Sequence, residues 1–320
     1  MNDVAIGVDI GGTKSLALLV SRDGKILEED RRQTPHAPDA SDEMTLAIGE
    51  QITSLCAKQS LDPKSLKVGL GLPGLIRRDG TLAYAPNWQS AHGINLAESL
   101  KKLLGTPHVY SDNDANCAAL CEHEWGAVKG IDDFVMVTLG TGIGGALFVD
   151  GALQRGKNGF AGEIGHMVVS ANGAECLCGG KGCWERYCSG GALQRMTSEA
   201  VKEGKLPKLS ALLGKENVRG EDVSKAAGEG SEEAVAIMRE IGWWMALGLS
   251  NLEVLLDSGT YVIGGGLSTV FELVLPAARE HLDELVEARE ARPPFKILPT
   301  MFGPNSGALG AALLAFEGAK

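Results

Sequence analysis

Four cysteines fall within ECLCGGKGCWERYCSG, residues 175–190, in a chain of 320 residues that has seven in all. Cys176, Cys178 and Cys183 follow C-x-C-x4-C, and Gly179, Gly180 and Gly182 let the backbone wrap tightly around a centre. The spacing is neither the C-x-x-C of a redox pair nor the paired knuckles of common nucleic-acid fingers. Three thiolates need a fourth ligand for tetrahedral zinc. The sequence offers His166, ten residues upstream in FAGEIGH, and Cys188, five residues downstream in ERYCSG. A small buried thiol is the ordinary expectation for Cys188, so His166 is preferred. A Cys3His site is closed to water, so its metal organises structure and does not act as a Lewis acid.

Glu163 lies three residues before His166 and Glu185 two after Cys183, so one metal would gather two carboxylates. They either accept hydrogen bonds from sugar hydroxyls, with His166 turning its other ring nitrogen to the same ligand, or are solvated residues beside a zinc staple. A second acidic cluster, SDNDAN at 111–116, precedes a helical pattern. Asp112 or Asn113 can cap that helix. A carboxylate there is held ionised by the positive end of the helix dipole and is available to take a proton, which makes Asp114 the candidate general base of a phosphoryl transfer. Asn87, in APNW, and Asn113 each offer a donor and an acceptor to a polyol, or serve as turn residues.

Two stretches, GLGLPG (69–74) and GTGIGG (140–145), satisfy G-x-G-x-x-G, but neither opens a helix, so neither suits a dinucleotide. Lys14 lacks the spacing of a P-loop lysine. Instead DIGGTK (9–14) and LGTGIGG (139–145) each read as a glycine hairpin presenting N–H groups and the hydroxyls of Thr13, Thr138 and Thr141 to phosphates. Asp9 is placed to hold Mg²⁺, directly or through water. In VIGGGLS (262–268) a strand passes through three glycines into a helix, which suits close approach of an adenosine moiety.

The elements that carry these residues repeat. VAIGVDIGGTKSLALLV reads as two strands joined at Gly11-Gly12, a turn expected to need positive φ, with a second hairpin at Asp23-Gly24. Residues 42–59 have helical spacing, and LKVGLGL follows as a strand. FVMVTLGTGIGGALFVDGAL (134–153) repeats the opening design, which predicts two related α/β domains. Helices are predicted over 115–126, 232–256, 269–290 and 307–316.

The length allows two domains. A net charge of −11 disfavours nucleic acid. The longest uncharged run, Phe134 to Val149, is shorter than the roughly 20 residues of a membrane span and is broken by glycines, so no membrane partner is expected. MNDVAIGVDIGG shows no export signal, and seven cysteines leave one unpaired in any complete disulfide scheme. Free thiols in a cytoplasmic protein are expected.

Taken together, DIGGTK, NDAN (113–116), LGTGIGGA (139–146), GEIGH (162–166), CLCGGKGCWE (176–185) and the glycines at 264–266 resemble the ROK family of sugar kinases and related repressors. The resemblance implies an α/β fold of the actin-like/hexokinase/Hsp70 ATPase type, two ribonuclease-H-like domains around a cleft, with the C-terminal helix returning to the first domain. The expected division is a small domain of residues 1–112 plus 302–320 and a larger one of 113–301. It further implies Asp114 as catalytic base, zinc on His166, Cys176, Cys178 and Cys183, and a hexose held by Asn87, Asn113, Asp114, Glu163, His166 and Glu185. ATP with Mg²⁺ would lie on Asp9, Gly11, Gly12, Thr13, Lys14, Thr138, Gly140, Thr141, Gly142, Gly265 and Gly266. WERYCSGGAL (184–193) is similar to the bacterial glucokinase branch, which uses ATP and forms homodimers or homotetramers. The polyphosphate-using branch generally lacks the cysteine cluster. Kinases of fructose, mannose and N-acetylhexosamines share most of these motifs. The repressor branch carries a helix-turn-helix ahead of the DIGGTK strand, where this sequence has three residues before Val4.

Overall fold

Alternation along the first strand, VAIGVDI, sends Ile6, Val8 and Ile10 to one side and Ala5, Gly7 and Asp9 to the other, so a carboxylate closes an otherwise apolar face. The computed structural model describes residues 4–35, 40–85, 88, 91–214, 218–266 and 271–318. The chain runs β1 (Val4–Ile10), β2 (Lys14–Ser21), β3 (Ile26–Gln33), α1 (Ala40–Lys58), β4 (Lys67–Leu72), β5 (Leu75–Ile76), β6 (Leu82–Tyr84), α2 (Leu96–Leu104), β7 (Val109–Asn113) and α3 (Asp114–Glu124). It continues through β8 (Phe134–Leu139), β9 (Ile143–Val149), β10 (Ala152–Leu153), α4 (Gly190–Lys202), α5 (Pro207–Leu213), α6 (Gly220–Gly228), α7 (Glu232–Leu256), β11 (Thr260–Gly264), α8 (Phe271–Leu285), β12 (Lys296–Pro299) and α9 (Ser306–Glu317). The two five-stranded sheets, β3-β2-β1-β4-β7 and β10-β9-β8-β11-β12, share one pattern of three successive strands followed by two later ones. The expected repetition of an α/β design is therefore present.

Contacts divide the chain into two compact units, the first comprising Met1–Met136, Ala146–Gly162 and Thr300–Lys320, the second Val137–Gly145 and Glu163–Pro299. This differs from a boundary at 112/113, because α3 packs on α9 and so stays with the N-terminal sheet. In the first unit, Ile6, Val8, Ile10 and Leu19 pack with Met44, Ile48, Ile52 and Leu55 of α1 and Leu100 of α2. The other face, with Ala5, Leu16, Leu18 and Val20, receives Ala308, Leu309, Ala312, Ala315 and Phe316 of α9.

The small residues of α9 have a steric cause. A Cβ at Gly7 would overlap the carbonyl of Ala308, one at Gly69 that of Ala311, and one at Gly310 that of Cys117. Helix, sheet and α3 thus meet backbone to backbone, and the obstructing atoms cannot rotate away. Gly69→Ala is expected to force α9 off the sheet and to cost about 3 kcal/mol or more, the upper end for overpacking, in urea unfolding. A loss below about 0.5 kcal/mol, the ordinary value for a surface change, would refute the close approach.

In the second unit α7 is the scaffold. Gly242 lets Ala277 and the Val274 carbonyl of α8 approach, and Gly248 makes room for the Trp184 indole, whose Nε1 donates to Trp244 O at 2.7 Å. Trp184 is fully buried, so the segment that carries Cys183 and Glu185 is anchored on this helix. Helices α4, α5 and α6, which the sequence reading left without assignment, pack around it. Among the described residues no helix is long and apolar enough to cross a membrane.

Candidate active site and metal centre

Sheet register assembles the carboxylates of the first unit. Asp9 pairs with Gly71 across β1 and β4, and Gly71 with Asp112 across β4 and β7, so the parallel strands end level. SDN is thus the end of a strand and not a loop, and the chain turns into α3 directly at Asp114. Gly71 has no side chain where a Cβ would meet Asp114 Cα at 3.4 Å and Asp9 Oδ1 at 3.7 Å. Gly71 therefore lies in van der Waals reach of both aspartates, at the level where β1, β4 and β7 end.

Burial pushes the Asp9 carboxyl up to about 7, helped by the charge of Asp114. Burial likewise pushes Asp114 up to about 6, against hydrogen bonds from the Ala115 and Asp114 N–H groups. The expectation that the helix dipole holds Asp114 fully ionised is thus corrected. Desolvation outweighs the donors at the helix start, and the result is a carboxylate whose proton affinity lies near neutrality. Such a group suits general-base work better than an ordinary aspartate, since Brønsted efficiency peaks when the pKa approaches the working pH.

Asn113 is the N-cap. Its Oδ1 accepts from Ala115 N at 2.9 Å and Asn116 N at 3.2 Å, and its Nδ2 donates to Gly74 O at 3.1 Å. Both oxygen lone pairs are occupied, so of the donor and acceptor expected for a polyol only the second amide N–H remains. Asn87 lies outside the described residues.

The turn that follows Asp9 is closed by Gly11 N donating to Lys14 O at 3.0 Å and pinned by Thr34, whose Oγ1 donates to Gly11 O at 2.8 Å. Neither Gly11 nor Gly12 has the positive φ expected of it. A Cβ on Gly12 would meet nothing within 4 Å, and Gly12, Thr13 and Lys14 are exposed. Neither backbone strain nor packing requires glycine at position 12. Gly140, in the second glycine turn, is alike in having no positive φ and open space around its Cβ position.

That second turn is fixed within its own unit. Gly140 N donates to Gly142 O at 3.0 Å, Gly190 N to Gly140 O at 2.8 Å and Gly191 N to Thr141 O at 3.2 Å, so the first residues of α4 rest on it. Thr141 is exposed and Thr138 half-buried on β8. A Cβ on Gly142 would overlap a Glu185 oxygen, so the turn and Glu185 adjoin. Gly265 has a different reason to be glycine, since its φ is +84° and a Cβ would overlap the backbone of Leu139. Gly266 has open space at its Cβ position. The remainder of VIGGGLS, from residue 267, lies outside the described residues.

His166, Cys176, Cys178 and Cys183 bring their ligand atoms within 4.8 Å of one another, which is compatible with a structural zinc. Gly179 and Gly182 take positive φ, and Cys176 N donates to Gly180 O at 2.8 Å to close the loop. Cys178 Sγ and Cys183 Sγ lie 3.6 Å apart, and His166 Nδ1 lies 3.8 Å from Cys176 Sγ. Cys188 is buried and outside the cluster; burial alone pushes its thiol up, as befits an inert core residue. Glu163 Oε2 lies 4.0 Å from His166 Nε2, and Glu185 Oε1 lies 3.8 Å from Nδ1 and 2.9 Å from Cys176 Sγ. Both carboxylates therefore flank the one imidazole, as the spacing suggested.

The structure thus gathers Asp9, Asn113 and Asp114 in the first unit and Glu163, His166, Glu185, the three cysteines and the 140–142 turn in the second. Sequence reasoning missed Thr34, Gly71 and Arg155. Each acts through a partner at least 23 residues away, and neither periodicity nor motif spacing carries that information.

A protein-family model described as ROK family matches residues 5–317. The chain is 35% identical to a glucokinase of Streptomyces coelicolor over 321 residues, 98% of each chain. It is 30% identical over 312 residues, 97% of each chain, to an N-acetylmannosamine kinase of Escherichia coli O127:H6. The structure is similar to a ROK family glucokinase from Streptomyces griseus in complex with glucose and AMPPNP, with a TM-score of 0.87 and 36% identity over 98% of this chain and 100% of that one.

Proposed function

The chain belongs to the ROK family, and on that basis we propose that it is a cytoplasmic ATP-dependent kinase phosphorylating the 6-hydroxyl of glucose. The observation that carries this reading is Asp114, a desolvated carboxyl at a helix start with a pKa of about 6, beside a second carboxyl at Asp9. Phosphoryl transfer asks little covalent chemistry of a protein; it needs an acceptor for the sugar hydroxyl's proton, a place for a cation and neutral donors for phosphate oxygens. Asp114 accepts the proton as the hydroxyl oxygen attacks the γ-phosphorus and ADP leaves. Asp9 serves the Mg²⁺ of the nucleotide, and the turns at Gly11–Lys14 and Thr138–Gly142, with Gly265 and Gly266, serve ATP. The hexose is assigned to Asn87, Asn113, Asp114, Glu163, His166 and Glu185. Support for glucose comes from the glucokinases among the similar proteins.

His166, Cys176, Cys178 and Cys183 would hold a structural zinc. Its chemistry is a closed tetrahedral staple, which leaves the sugar-facing work to Glu163, Glu185 and the second nitrogen of His166. Assembly as a homodimer or homotetramer is part of the same reading. A coupled ADP-release assay over glucose, mannose, fructose, N-acetylglucosamine and N-acetylmannosamine tests it. Glucose is expected to give the highest kcat/KM. A clear preference for another hexose reassigns the substrate, and no ADP with any hexose would leave a non-catalytic sugar sensor.

A further inference from the structure

Arg155, in the segment after β10, has no part in the roles assigned above, yet it makes the strongest polar contact of the first unit's carboxylate cluster. Its Nε lies 2.6 Å from Asp112 Oδ2, with the Asp112 side chain 8% exposed. The other oxygen of Asp112 accepts from Asn113 N and from Asn116 Nδ2, both at 2.8 Å. Those donors stand on either side of Asp114, one at the end of β7 and one in the first turn of α3. Asn116 yields its Nδ2 to Asp112 although its own buried Oδ1 then has no hydrogen-bond partner among the described residues. The carboxylate thus dictates that side chain's orientation.

The segment that carries Arg155 is itself fastened within the unit. Arg78 donates to Gly156 O at 3.1 and 2.8 Å, and Ala161 N donates to Arg155 O at 3.1 Å. Asp9, Asp112 and Asp114 all bear electrostatically on the buried Cys117, and Arg155 is the cation that acts on it with opposite sign. An arginine paired side-on through Nε has a defined direction, which a lysine ammonium on a flexible stem does not reproduce.

We propose that Arg155 is a positioning residue: by holding Asp112 it fixes the end of β7 and the first turn of α3, and thereby the place of Asp114. This rests on the reading of Asp114 as the proton acceptor. Misplacing a reacting group by about 1 Å costs on the order of 100-fold in rate, so the effect belongs in kcat.

The test compares Arg155→Gln, Arg155→Lys, Asp112→Asn and Asp114→Asn in steady-state kinetics with thermal melts of each. Arg155→Gln is expected to lower kcat about 100-fold while KM for glucose and ATP stays within about threefold, the pattern of an interaction that matters in the transition state. Arg155→Lys is expected to recover part of that loss, and Asp112→Asn to show the same loss confined to kcat. Removing one partner of a buried pair also strains folding. Should Arg155→Gln fail to fold, Arg155→Lys, which keeps the charge, carries the test with about a tenfold loss in kcat at a near-parental melting temperature. A kcat within about twofold of the parent for Arg155→Gln, full recovery with lysine, or a loss expressed in KM would overturn the proposal. If Asp114→Asn remains active, the base assignment fails; if it is inactive while the Arg155 and Asp112 variants match the parent, positioning alone fails.

Discussion

Asp114→Asn is expected to lower kcat by about 10²–10⁴, the contribution of a positioned general base, while hexose binding and zinc content are retained. The asparagine keeps the shape and the cap geometry but cannot accept the hydroxyl proton. Two further readouts separate lost chemistry from lost fold. In the parent, kcat/KM should fall as pH drops through about 6, where Asp114 takes up a proton, with Asp9 at about 7 titrating alongside it as a coupled pair. The stability effect has the opposite sense. A carboxyl raised from 3.8 to about 6 binds protons more tightly folded than unfolded, so it favours the fold at low pH and loses that contribution as pH rises through the folded value. At pH 8 the neutral asparagine avoids the buried charge, and the variant should be more stable than the parent by about 1–2 kcal/mol, a margin that vanishes near pH 4. Near-normal turnover in Asp114→Asn sinks the assignment outright.

The second large effect is expected at the metal centre. Cys178→Ser removes one of the four grouped ligands. Bound zinc should fall from about one per chain to near zero, since a closed site depends on all four donors. What then loosens follows from the surrounding contacts. Trp184 stays anchored by its bond to Trp244 O, so the chain near Glu185 persists. His166 loses its fixed ring orientation, and with it the placement of Glu163 and Glu185 on either side of the imidazole. The expected result is a rise of about 10–100-fold in KM for the hexose, the usual cost of losing orienting contacts, with a smaller change in kcat and a lowered melting temperature. Zinc loss measured by metal analysis, with hexose kinetics unchanged, would show that the staple serves the fold alone.

Much of this site was legible before any coordinates. The cysteine spacing with His166 pointed to the four donors that the structure groups together, and Cys188 lies buried outside that group, its thiol pushed up by burial. The repeat of strand, glycine turn and strand predicted two sheets of one pattern. Local signals sufficed in these cases because ligand spacing, turn chemistry and strand alternation act over a few residues.

Other features were only partly legible, for an equally local reason. The glycines of the first turn invited a conformational explanation, yet their φ values are ordinary and open space is what distinguishes Gly12. Asn113, read as a helix cap or as a polyol contact, is the cap, and the helix start and Gly74 occupy most of its amide.

What the sequence determined by itself is the set of groups: a Cys3His cluster, two carboxylates near it, an aspartate at a helix start and bare glycine turns. The tertiary structure alone decided their state. Burial, set by sheet register, raises Asp114 toward neutrality against the helix donors. The partnership of Arg155 with Asp112 spans 43 residues. Desolvation and long-range pairing depend on which atoms exclude water from one another, and a linear pattern does not encode those distances.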